Sequence, residues 1–123
     1  MTFLNKVTRR PDVVFHASGR IDLKRRAALA LGVAEGDVIN VAAEDGRFYL
    51  CISSKAGGVA GCHRATCRPA TAGGRCFRAH SRSLCSAVIK AMGDDAEKVS
   101  VITGDPLLSA AFGIILPIFK LSA

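Results

Sequence analysis

The side chains best suited to chemistry are five cysteines (Cys51, Cys62, Cys67, Cys76 and Cys85) and three histidines (His16, His63 and His80). Cys62-His63-x3-Cys67, followed by Cys76, offers sulfur and nitrogen donors within one stretch. A structural zinc ion takes about four such ligands, usually with a closely spaced C-x-x-C pair. No such pair occurs, so the adopted reading is free thiols with no metal and no cofactor. An odd cysteine count without an export signal also argues against a disulfide framework. Cys62 and His63 are adjacent, and neighbouring side chains of an extended segment point apart, which does not make a nucleophile–base pair. His16, His63 and His80 show no spacing to a serine or aspartate that suggests a triad. No phosphate-cradling glycine loop, G-x-S-x-G or paired-carboxylate signature is present. No enzyme is expected.

The charge pattern says more. The chain carries 17 Lys+Arg against 10 Asp+Glu, a net charge of +7 over 123 residues. Between Gly46 and Gly93 there are eight basic residues and no acidic one. A surplus of this kind points to a polyanion partner. Arginine dominates, and its planar fork suits phosphate or guanine. The candidate DNA contacts are Arg9 and Arg10 in the N-terminal arm, Arg20, the cluster Lys24-Arg25-Arg26, then Arg64, Arg68, Arg75, Arg78 and Arg82.

Short strands and helices must position these groups. Residues 13–17 (VVFHA) and 20–23 (RIDL) read as strands, the second through polar–apolar alternation. Residues 24–31 (KRRAALAL) read as a helix closed by Gly32. Residues 38–42 and 48–52 read as strands joined by the Asp45-Gly46 hairpin signal. Residues 55–75 lack periodicity and read as a basic irregular linker. Strand 76–79, helix 82–92, strand 99–103 and strand 112–121 follow, with Pro117 implying an edge or a bulge.

The halves share an order of elements. Setting Phe15 on Phe77 places Ala17 on Ala79 and Arg20 on Arg82; later Leu31-Gly32 meets Met92-Gly93, and Val38 meets Val99. A unit of about 40 residues is too small to be stable alone, so the two are expected to cover each other.

Gly19-Arg20-Ile21-Asp22-Leu23, Leu31-Gly32-Val33, Gly36-Asp37-Val38-Ile39-Asn40-Val41 and Phe48-Tyr49-Leu50 give the span Val13–Ile52 its character. This span resembles the AbrB/SpoVT-like swapped-hairpin family of DNA-binding proteins. The family's helix-entrance proline is replaced here by Leu23-Lys24, and the second half lacks a glycine before Arg82. The resemblance implies an interlaced barrel that binds duplex DNA, with Arg20 facing the nucleic acid.

The expected fold is therefore mainly β with short helices (α+β), a small swapped-hairpin-like barrel from two tandem ββαββ-type units. Its parts are a basic arm (1–12), a first unit (13–54), the linker (55–75) and a divergent second unit (76–123) packed with the first as one domain. The expected function is DNA binding, in a transcriptional regulator or an antitoxin-like protein; pairing into a homodimer is left open. A second reading is a protein-interaction or structural module whose basic loop docks an acidic partner. A third is a single-stranded nucleic-acid binder, against which six Phe, one Tyr and no Trp weigh. No apolar run has the roughly 18–20 residues of a membrane helix, and residues 1–10 lack a secretory h-region, so the cytoplasm is expected.

Overall fold

Alternation of apolar and polar residues fixes the inward face of strands such as 20–23 and 98–103. In the computed structural model, which describes residues 10–53, 65–70, 75–93 and 96–121, the strands form one sheet. In β1 (Val13–His16), Val13 and Phe15 are fully buried; in β2 (Arg20–Leu23), so are Ile21 and Leu23. Helix α1 (Arg25–Leu31) buries Ala27, Ala28 and Leu31, the i, i+1, i+4 pattern of a single face, and stops at Gly32 in the left-handed region. β3 (Val38–Glu44) and β4 (Arg47–Ile52) make a hairpin whose turn residues, Asp45 and Gly46, both have positive φ. The strands β5 (Ala65–Thr66), β6 (Arg68–Pro69) and β7 (Phe77–His80) lead to α2 (Arg82–Val88), where Ser81 accepts a capping bond from the Leu84 N–H. One π-helical turn (Ile89–Gly93) follows, then β8 (Lys98–Thr103), β9 (Leu107–Ser109) and β10 (Gly113–Lys120).

The strand order is β5-β3-β4-β10-β8-β1-β2-β7-β6, with β9 beside β10. Its two ends, β5 and β6, are separated by Cys67 alone, so the sheet forms a nearly closed barrel. At that break the Cys67 backbone bonds to Asp37 and Gly36 instead of to a strand. Phe15, Ile21, Leu23, Ile39, Leu50, Val99, Val101 and Leu116 fill the interior. Burying each such side chain is worth about 1.5–3 kcal/mol.

Each half completes the other. β1 pairs with β2 and with β8; residues 65–69 pair with β7 through β6 and with β3 through β5. The halves also meet along β2–β7 and β4–β10. The counterpart of β1 is thus found within the stretch expected to be irregular. Strand β7 takes the place of β2, not of β1. Setting Phe15 on Phe77 is therefore mistaken, and Arg82, which heads α2, does not correspond to Arg20 in β2. The matching strand is hidden in the sequence because it is built from Ala, Thr, Cys, Arg and Pro, without the β-branched and aromatic residues that mark strands.

Pro117 likewise does not mark an edge: β10 pairs with β4 on one side and with β8 and β9 on the other. The Pro117 carbonyl accepts from the Gly104 N–H at 2.8 Å, so its donorless nitrogen faces the same side, just past the end of β8. No ladder bond is lost there.

Asp12, expected in the arm, is buried and acts as a tie. Its carboxylate accepts from the Thr103 N–H at 2.8 Å and the Thr103 hydroxyl at 3.1 Å, while its carbonyl accepts from the Lys24 N–H at 2.8 Å. Asp12→Ala leaves the buried Thr103 donors without this acceptor and is expected to cost about 1–3 kcal/mol. Guanidinium unfolding should show a lowered midpoint with an unchanged slope.

Candidate nucleic-acid interface

Strand alternation puts Arg20, Asp22 and Lys24 on the outer side of β2, because Ile21 and Leu23 point inward. The residue before α1, Lys24, is still extended (φ −79°, ψ 166°), so the alternation carries through it. On β7 the buried Ala79 turns Arg78 and His80 outward. Register sets Arg20 opposite His80, Asp22 opposite Arg78, and Arg78 opposite Arg68. Basic residues from three strands therefore share one surface.

Two grooves lie along it. One, of about 550 Å³, is lined by Arg20, Arg68, Arg78 and His80. The other, of about 600 Å³, is lined by Arg10, Lys24, Arg25 and Arg26, with Asp12 and Cys76. Arg75 is exposed immediately before Cys76. Arg82 is exposed at the turn that precedes Arg20. That turn requires Gly19: its φ is +106°, and a Cβ would lie 2.8 Å from the His80 ring and 3.0 Å from the Arg82 Cγ. Arg9 and Arg64 lie outside the described residues. Among the described residues, Arg10, Lys24, Arg25, Arg26, Arg68, Arg75 and Arg82 make no salt bridge.

Arg20 and Arg78 are held. Their Nε atoms lie 3.2 Å and 3.1 Å from the two oxygens of Asp22, and His16 Nε2 lies 2.9 Å from the same carboxylate. Burial raises the Asp22 pKa, but hydrogen bonds from His16 and Arg78 and the charges of Arg20 and Arg78 outweigh it. The net effect holds the carboxyl below its ordinary value. Asp22, His16 and His80 are not among the expected site residues. The signal for Asp22 is present in the polar 20, 22, 24 spacing of Arg-Ile-Asp-Leu-Lys.

The cysteine-rich stretch is divided. Cys62 and His63 lie outside the described residues. Cys67 is fully buried in the core, and burial, with the Asp37 charge nearby, pushes its thiol up to about 12. Burial also raises Cys51 and brings Cys85 to about 11. Cys76 is half-buried in the groove. Among the described residues no group of three or more His, Cys, Asp or Glu is placed to hold a metal. Phe15 is wholly internal and offers no face to a base. Among the described residues no helix is long and apolar enough to cross a membrane.

No family model, curated protein or solved structure matches the chain.

The buried thiols have a consequence for stability. An unfolded thiol ionises near 9.0, whereas Cys67 stays neutral to about 12 when folded. Its contribution is present in full below the unfolded value and is lost as pH rises from there toward the folded one. The guanidinium midpoint should fall between about pH 9 and 11, and fall less in Cys67→Ala; equal declines would contradict this account. Iodoacetamide should modify Cys76 well before Cys51, Cys67 or Cys85.

Proposed function

We propose that the outer surface of β2, β7 and β6 binds the backbone and grooves of duplex DNA, in keeping with the AbrB/SpoVT-like resemblance of residues 13–52. The observation that carries this reading is the gathering of Arg20, Arg68 and Arg78 in one groove over β2, β7 and β6, with Arg10, Lys24, Arg25 and Arg26 lining a second groove where β2 runs into α1. From Arg20 to Lys24 the surface extends about 13 Å at strand rise. That is close to the width of the B-form major groove, about 12 Å. Cations that make no ion pair among the described residues are available to replace condensed counterions on phosphates, the main source of affinity for nucleic acid. A role in transcriptional regulation or as an antitoxin-like partner follows from that binding.

One observation favours a protein partner as well. Across the barrel, Leu107, Leu108, Phe112, Ile114 and Phe119 are exposed, Leu108 by 87%. Two of these, Leu107 and Phe119, border a cleft of about 620 Å³ over β4 and β10 together with Phe48, Tyr49 and Pro117. Apolar clusters of this kind mark protein contacts more often than solvated surface. The two surfaces are separate, so a protein contact on β9 and β10 is compatible with DNA on β2 and β7.

Titration of a 20-base-pair duplex at several salt concentrations tests the first reading. Binding at about 50 mM salt should weaken linearly on a log–log plot, and Lys24→Ala/Arg25→Ala/Arg26→Ala should reduce the slope by about 0.9 for each phosphate that is no longer neutralised. The melting temperature should change little, since these side chains are exposed. No binding, or a slope of zero, overturns the reading. Leu108→Asp should leave duplex affinity unchanged while abolishing any protein association made by the apolar surface.

A further inference from the structure

We propose that Asp22 is a positioning residue that fixes Arg20 and Arg78 as readers of base edges, leaving phosphate contact to Arg10, Lys24, Arg25 and Arg26. This rests on the duplex-binding reading and assigns the source of its sequence preference. The geometry is specific. Arg78 Nε donates to one Asp22 oxygen at 3.1 Å, and Arg20 Nε ion-pairs at 3.2 Å with the other oxygen, which His16 Nε2 also meets at 2.9 Å. Both arginines meet the carboxylate through the inner nitrogen, and the terminal amino groups are their remaining donors. Those of Arg78 have no other partner among the described residues, and one of Arg20 rests 3.3 Å from His16 Nε2. The carboxylate is shielded at 13% exposure, while the two arginine side chains are 48% and 52% exposed.

A carboxylate at this place is unfavourable for phosphate binding alone. It cancels one of the two arginine charges and repels the backbone of the duplex. What it provides is orientation: a flexible arginine surrenders much rotamer freedom on binding, and one already pinned at Nε surrenders less. Phosphate attraction tolerates loose geometry, whereas a bidentate contact to guanine O6 and N7 needs a fixed fork. The pinned arginines therefore suit bases, and the unpinned cations suit phosphates. Arg20 and Arg78 are diagonal across β2 and β7, about 7–8 Å apart at the backbone. With a stacking rise of about 3.4 Å, they reach guanines about two base-pair steps apart.

The test is selection of a preferred site from a randomised duplex pool, followed by affinities for that duplex and for a permuted one. The unmodified protein should favour the selected duplex at least about tenfold. Asp22→Asn should hold or raise affinity for the permuted duplex and reduce the preference about tenfold, and Asp22→Glu should restore part of it. Arg78→Lys, which keeps the charge and loses the fork at an exposed site, should show the same loss and decides the matter if Asp22→Asn fails to fold. Preference retained in Asp22→Asn or in Arg78→Lys, or equal weakening on both duplexes, overturns the proposal. Binding without preference in the unmodified protein overturns it while duplex binding stands. Absence of all duplex binding overturns both.

Discussion

The antiparallel pairing of β2 with β7 is the constraint on which the rest of the molecule depends. These strands come from different halves of the chain, and their junction is one of the seams that make a single barrel from two small units. The register sets Ile21 against Ala79 inside and Asp22 against Arg78 outside. The same backbone bonds that join the cores thus bring a carboxylate from one half to an arginine of the other. A slip of β2 by one residue would turn Asp22 into the apolar interior and Ile21 into water, and a slip of β7 would do the same to Arg78 and Ala79. Fold and site are therefore fixed by one set of bonds.

Electrostatics on that surface is of two kinds. Around Asp22 the charges are paired and partly shielded, so geometry dominates. Lys24, Arg25 and Arg26 are exposed and make no ion pair among the described residues, so attraction at a distance dominates and salt screens it. One surface thus combines an ion-paired centre with an exposed cationic margin.

Much of this is legible in the residues. Asp45-Gly46 forces its hairpin because both positions need positive φ, and Gly32 ends α1 for the same reason. The alternation of Arg-Ile-Asp-Leu-Lys fixes what β2 buries. Arg68 and Arg78 stand out because bases occur without acids between Gly46 and Gly93, and Lys24, Arg25 and Arg26 because they are consecutive. β5 and β6 are not legible. They have two residues each, too few for a period, and owe their place to backbone bonds with β3 and β7. Pro117 misleads because an absent N–H matters only when a partner faces it. Asp22 is overlooked when bases are weighed by number and not by which face they share.

The mutual completion of the halves bears on synthesis. As the chain leaves the ribosome, β1 waits for β8 and β4 waits for β10, although both early strands emerge long before their partners. Over that interval the nascent chain presents open strand edges and apolar side chains that nothing yet covers. Folding is therefore governed by long-range closure, which completes only when the last strands have left the ribosome.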